Sequence, residues 1–149
     1  MSVLIRTGKK SDAIACVEIL RAWADETPWM TEFYDLEPMQ AFWMDIFETD
    51  LVWVAEIEGR IVGFCTRGVD DGSDNISALY VVAELRSSGI GKRLLDMAKQ
   101  DRDWITVWAY EKNVRAINFY KREGLIEISR EVEKSSNLMN IEHRWHRTT

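Results

Sequence analysis

Cysteine is scarce in this chain: two residues in 149, Cys16 and Cys65. They stand far apart, each in an apolar stretch, and read as buried thiols rather than as a disulfide or a metal pair. Long apolar runs are missing too. No stretch approaches the ~18 consecutive apolar residues of a membrane-spanning helix. The opening MSVLIRTGKK has no apolar core of a secretory signal, so a cytoplasmic location without membrane contact is the expectation. Positive charge is not in excess either. The formal net charge is −6 and the isoelectric point near 5.0, whereas a nucleic-acid partner usually demands a basic face. An acidic balance accommodates a cationic substrate, and equally serves solubility alone. Histidine is limited to His143 and His146. On a strand, residues three apart point to opposite faces, and no Cys/Asp/Glu set accompanies them at ligand spacing, so no metal is expected. The phosphate-loop pattern G-x-x-x-x-G-K-[ST] is absent, as are internal repeats, linkers and low-complexity tracts.

What remains is the composition of a globular protein, 46% hydrophobic and 30% charged, of a length that fits one domain over 1–149. Tryptophan is abundant, with seven residues. Trp23, Trp29 and Trp43 fall in the N-terminal third beside Phe33, Tyr34, Phe42 and Phe47, where aromatics can form core or wall a pocket.

Apolar periodicity gives the elements. A strand over 3–6 leads to an amphipathic helix over 12–24, which Ser11 can cap. After an irregular acidic and aromatic stretch, 25–37, Pro38 suits the first turn of a second helix reaching about Glu48. Strands over 51–57 and 61–67 flank a two-residue turn, Glu58-Gly59. Residues 68–74, with three acids and two glycines, read as a loop. The strand over 76–82 alternates, with Ser77, Leu79 and Val81 on one face and Ile76, Ala78, Tyr80 and Val82 on the other. A helix to about Arg102 and a strand over 104–109 follow, the latter parallel to its predecessor by a right-handed crossover. Asn113 can cap a short helix ended by Gly124, and strands over 125–134 and 138–145 form a last hairpin. The fold class is therefore α/β (α+β): a mixed, mostly antiparallel sheet of six to seven strands with helices on both faces.

The chain is organised around the passage from 75 to 95. A strand runs into Arg86-Ser87-Ser88-Gly89-Ile90-Gly91, and Lys92 and Arg93 open a helix with Ile90, Leu94, Leu95 and Ala98 on one face. Free N–H groups at a helix start, with the helix dipole behind them, favour an anion. Glycines let those amides approach it closely, and Arg86, Lys92 and Arg93 add positive potential. Many turns carry two glycines, so a plain strand-to-helix turn is the alternative from this window alone.

Further along stands Asn113-x-x-Ala116-x-x-Phe119-Tyr120-x-x-x-Gly124. This block, preceded by Arg86-x-x-Gly89-x-Gly91 at a spacing of one helix and one strand, resembles the GNAT N-acetyltransferases. The β-α-α-β-β order of the N-terminal part is similar to theirs, so the resemblance spans almost the whole chain. It implies a GNAT-like acyl-CoA N-acyltransferase fold, with acetyl-CoA as cosubstrate and an amine as acceptor. The diphosphate would lie on the backbone of Ser87, Ser88, Gly89, Ile90, Gly91 and Lys92 beside Arg86. The pantetheine arm would pair with the central strand near Leu79 and Val81. That requires this strand to part from 104–109 partway along, which family members achieve with a bulge. Asn113 and, less directly, Asn118 become ligands of the cofactor arm or of ordered water. Tyr120 matches the family's general-acid tyrosine. A phenol of pKa ~10 can protonate a thiolate whose thiol pKa is ~8.5 with little mismatch. Without the resemblance, Tyr120 reads as a helix tyrosine buried for its ring, and Asn113 as a cap.

A general base is less evident. Many family members carry a glutamate on the central strand, and neither face of this one holds a carboxylate. Glu111, Asp25, Glu26, Glu32 and Asp35 are candidates, as is a water chain held by Ser77. The acceptor is expected between 25–37 and Tyr110-Glu111, where acids and aromatics suit an ammonium group. Two rival readings stay open: an acyl-CoA-binding sensor or interaction module without catalysis, and another phosphate ligand such as a nucleotide. The hairpin over 125–145 could pair across a homodimer.

Overall fold

A computed structural model describes residues 2–30, 36–70 and 73–148. Seven strands form one sheet in the order β1-β2-β3-β4-β5-β7-β6. They are β1 (Leu4–Thr7), β2 (Leu51–Ile57), β3 (Arg60–Asp70), β4 (Ser73–Val81), β5 (Trp104–Tyr110), β6 (Ile126–Glu133) and β7 (Leu138–His146). Helices α1 (Ala13–Asp25) and α2 (Leu36–Thr49) cover one face, and α3 (Ile90–Lys99) and α4 (Val114–Arg122) the other. Val17, Leu20, Met39 and Trp43 pack on Val54, Phe64 and Ala78 on the first face. Leu94, Leu95, Ala98 and Tyr120 pack on Ile76, Ile105 and Val107 on the second. Among the described residues no helix is long and apolar enough to cross a membrane.

Local chemistry explains most of the element ends. Glu58 and Gly59 both have positive φ, 48° and 82°, the turn geometry that matches strand twist in a two-residue hairpin. Gly124, at φ 90°, ends α4 as the sequence predicts, because a left-handed residue there lets its N–H close on Lys121 O at 3.1 Å. Ser11 does not cap α1. It lies in a short 3-10 turn, Lys10–Asp12, and the Asp12 carboxylate does the local work, accepting the Lys9 N–H at 2.7 Å and pairing with Arg6 at 2.9 Å. Residues 68–70 and 73–74, expected in a loop, are in strands; residues 71 and 72 of that expected loop lie outside the described residues. Gly68, Val69 and Asp70 pair antiparallel with Asn75, Asp74 and Ser73, so the β3–β4 hairpin runs on. Its polar composition hid the strands, because a ladder of main-chain bonds does not require apolar side chains.

Two departures from regularity shape the centre of the sheet. Thr66 pairs with Ala78 but its successor Arg67 pairs with Ile76, so Ser77 is the extra residue of a β-bulge. Ser77 Oγ shares a hydrogen bond of 2.5 Å with Thr66 Oγ1. The bulge resets the alternation of β4: Ile76 joins Leu79 and Val81 on the α3/α4 face, while Ala78 and Tyr80 face α1 and α2. The grouping of Ile76 with Ala78 and Tyr80 is thus overturned, because one inserted residue reverses every side chain beyond it. The second departure is that β4 and β5, the parallel neighbours, pair only at Asn75–Thr106 and Ile76–Val107. This closed end carries a Thr106-to-Asn75 side-chain hydrogen bond of 3.3 Å and an Arg102–Asp74 ion pair of 2.6 Å. Past Ile76 the strands separate.

Candidate active site

The separation leaves one edge of β4 without a neighbour. The Val82 N–H donates to Val62 O at 2.9 Å, toward β3. Main-chain groups alternate along a strand, so the Leu79 and Val81 N–H groups face the opposite way. Both residues line a cleft of about 310 Å³. Its floor at one end is the turn after β4, where Arg86, Ser87, Gly89, Gly91 and Lys92 contribute to the wall.

Backbone conformation in this turn is unusual. Ser87 has φ 66° and Gly89 φ 91°. A left-handed non-glycine residue costs about 1–2 kcal/mol, so Ser87 stores local strain beside the cleft. Gly89 is the residue preceding α3 and receives no side-chain cap. The N–H groups of Gly89, Ile90, Gly91 and Lys92 make no main-chain hydrogen bond among the described residues, and the first α3 bond is Arg93 N–H to Gly89 O, 3.1 Å. Free amides at a helix start are the groups that an anion-binding turn would use. Gly91 lets the cleft reach them: a Cβ there would sit 3.5 Å from the Phe119 ring, in ordinary contact, so its absence serves open space rather than packing.

The other expected residues divide. Ser88 is exposed, does not line the cleft, and donates its hydroxyl to Leu85 O at 2.5 Å. Ile90 is core, 2% exposed, so only its main chain is available. Lys92 lies along α3 against Asp96 at 3.1 Å, with Glu123 at 3.7 Å. Arg93 turns away from the cleft and donates to Val3 O at 3.0 Å, so its contribution to the anion site is withdrawn. In its place Arg115 and Arg122 of α4 line the cleft with Asn118 and Phe119. The signal was in the sequence: 115, 118, 119 and 122 are one stripe of a helix.

Asn113 fits both of its readings. Its Oδ1 accepts the Ala116 N–H at 3.2 Å, capping α4, and the residue also lines the cleft. Tyr120 lines the cleft too, yet is only 5% exposed. Its ring lies 5.4 Å from Phe119 and 5.8 Å from His143. Burial pushes its phenol well above the usual range, and negative charge on Cys65 or Tyr80 would push the same way, so it is held as a neutral O–H donor. His143 is fully buried and its imidazole is pushed down by burial, whereas His146 is exposed. Among the described residues no cluster of three or more His, Cys, Asp or Glu could hold a metal ion.

The cleft is also lined by Trp23 and Tyr80. A chain of edge-to-face rings starts here: Tyr80 to Trp23 at 5.5 Å, Trp23 to Trp29 at 5.9 Å, Trp29 to Tyr110 at 5.8 Å. The Tyr110 hydroxyl donates to Glu133 at 2.9 Å, a carboxylate that sequence reasoning did not single out. Of the carboxylates it did, Glu26 is ion-paired with Arg86, Glu111 with Arg130 at 2.7 Å, and Asp25 is exposed at the end of α1. Glu32 and Asp35 lie outside the described residues.

Known proteins resemble this chain in the same region and beyond it. The model of the acetyltransferase (GNAT) domain matches residues 48–125, just over half of the chain and all of the segment from the end of α2 through α4. The peptidyl-lysine N-acetyltransferase YiaC of Escherichia coli is 28% identical over 129 residues, covering 81% of this chain and 82% of its own. An uncharacterised N-acetyltransferase of Methanocaldococcus jannaschii is 32% identical over 128 residues, covering 82% and 77%. Among solved structures, YncA of Salmonella typhimurium, a putative acetyltransferase with its cofactor acetyl-CoA, superposes with a TM-score of 0.76 at 20% identity, covering 98% of this chain and 94% of its own. The split sheet with its amide-lined turn and the match across 48–125 agree, and the chain belongs to the GNAT family of N-acetyltransferases.

Proposed function

We propose that this protein transfers the acetyl group of acetyl-CoA to a primary amine by direct attack within a ternary complex. The observation that carries the reading is the parting of β4 from β5 after Ile76, with outward-facing amides on β4 and unsatisfied amides at the start of α3 beside it. The residues fit the cosubstrate. The diphosphate would take the N–H groups of 89–92, and the pantetheine amides would pair with Leu79 and Val81. In this reading the amine nitrogen attacks the thioester carbonyl carbon, a β4 N–H stabilises the oxyanion, and the C–S bond breaks. Tyr120 gives its proton to the departing sulfur, and the proton lost by nitrogen passes to solvent or a base. Burial raises the phenol pKa, but the same dry surroundings raise that of the thiol, since both conjugate bases lose hydration. The pair therefore stays better matched than the phenol shift alone suggests.

An ammonium-bearing acceptor would enter beside Trp23 and Tyr80, where aromatic rings and Glu26 lie. The E. coli relative is named for peptidyl-lysine, which supports an alkylamine acceptor here. One observation favours a second reading, a non-catalytic acyl-CoA-binding module: β4 carries no carboxylate in its cleft segment, and Glu26 and Glu111 are both ion-paired. Calorimetric titration with coenzyme A, followed by a thiol-release screen over alkylamines and lysine peptides, separates the two. Binding with turnover supports the transferase, binding without turnover supports the module, and no binding overturns both.

A further inference from the structure

Arg86 belongs to the turn that would receive the diphosphate, and its side chain is 20% exposed at the cleft wall. It does not stand ready for an anion from solvent. Its Nη2 is ion-paired with Glu26 Oε1, the residue that ends α1. Glu26 is one turn beyond Trp23, which also lines the cleft, and three residues before Trp29 in the aromatic chain. One ion pair therefore ties the turn after β4 to the end of the helix that carries Trp23. Its charges cancel while the pair is closed.

We propose that Arg86 is a shared ligand: Glu26 holds it in the free protein, the cofactor's diphosphate takes it over, and the released Glu26 carboxylate becomes an ammonium-recognising group for the acceptor. This rests on the acetyltransferase reading and adds a positioning residue to it. The physical basis is competition. A diphosphate offers a guanidinium more charge and a bidentate acceptor than one partly exposed carboxylate does. An ion pair that solvent reaches is worth only a fraction of a charge-assisted contact made in a closed cleft. Once Arg86 is spent on phosphate, the carboxylate beside Trp23 is uncompensated. A carboxylate whose charge Arg86 had cancelled becomes free one turn from Trp23, and a carboxylate with aromatic rings is the combination that attracts an ammonium ion. The coupling is reciprocal, so a bound ammonium also tightens the cofactor.

The test uses the full chain, with coenzyme A and n-hexylammonium as probes and calorimetry as the readout. Glu26→Gln frees Arg86 and is expected to tighten coenzyme A by about two- to fivefold. Arg86→Gln weakens it by about tenfold or more. In the Arg86→Gln background the Glu26→Gln change has no further effect. Coenzyme A tightens hexylammonium about fivefold in the wild-type chain and not at all in Glu26→Gln. Melting curves establish that each variant is folded. Unchanged coenzyme A affinity in Glu26→Gln overturns the proposal. So does equal tightening in the Arg86→Gln background, since that marks a general loss of negative charge, and so does a hexylammonium response that survives the Glu26 change. A wild-type chain that fails to bind coenzyme A overturns the acetyltransferase reading itself, whereas binding without these couplings overturns only the shared-ligand proposal.

Discussion

Replacing Tyr120 by Phe separates three quantities that usually move together. The ring keeps its contacts with Phe119 and His143, at 5.4 and 5.8 Å, and only the hydroxyl is lost. No protein hydrogen bond to that hydroxyl is present among the described residues, so no bond is broken on removing it. Tyr120 lines the open cleft, and its hydroxyl is not among the buried atoms that lack a partner, so the variant is expected to melt close to the wild-type temperature. Coenzyme A affinity should stay within about twofold, since the contacts proposed for the diphosphate and pantetheine are main-chain amides of other residues. Turnover should fall by about 10²–10⁴-fold, the usual contribution of a positioned acid, equivalent to about 2.7–5.5 kcal/mol of barrier. Because the phenol is pushed above its ordinary value, wild-type kcat should also show no titration at pH ~10, the ordinary phenol value. Thiol release against a reactive amine gives kcat, calorimetry gives the affinity, and differential scanning gives the melting temperature. A Phe variant retaining more than about a tenth of wild-type kcat would refute the acid role. A marked drop in melting temperature would refute the unbonded hydroxyl.

Two glycines of one turn are expected to respond in opposite ways. Gly91→Ala places a methyl group in ordinary contact with Phe119, 3.5 Å away, and improves helix propensity by up to ~1 kcal/mol, so it should raise stability while weakening coenzyme A by about tenfold or more through obstruction. Gly89→Ala meets nothing within 4 Å but must hold φ at 91°, and should lower stability by about 1 kcal/mol; denaturant melts of the pair decide it. Stability should also decline in alkali. Burial pushes the Cys65 thiol from about 9 up to about 12. Above pH 9 the unfolded chain loses this proton first, so unfolding free energy should fall by about 1.4 kcal/mol per pH unit from this group until the folded value is passed. Cys65→Ala should flatten that slope, and an unchanged slope would rule the thiol out as its source.

Most of the elements were legible because their causes are local. Helix periodicity, the positive-φ pair Glu58-Gly59, the Asn113 cap and the Gly124 stop depend on residues a few positions apart. The anion turn was legible for the same reason, since two glycines between a strand and a helix dictate where free amides emerge. Side-chain direction was not. Arg93 stands beside Lys92 in sequence, yet it reaches Val3, just before β1, and Glu26 reaches Arg86, sixty positions on. Charged partners that distant are chosen by the fold.

The sequence by itself determined most of the succession of strands and helices, the glycine-bearing turn before α3 and the stripe of α4 that could face it, because backbone preference and periodicity act over one or two turns. Only the tertiary structure decided that Ser77 is the extra residue in β4, that β4 and β5 part after Ile76, and that residues 68–70 and 73–75 pair as strands. Each of these is a matter of register between strands. Register is settled by which neighbour supplies the opposing main-chain bonds and which face must bury its side chains, and no single segment carries that information.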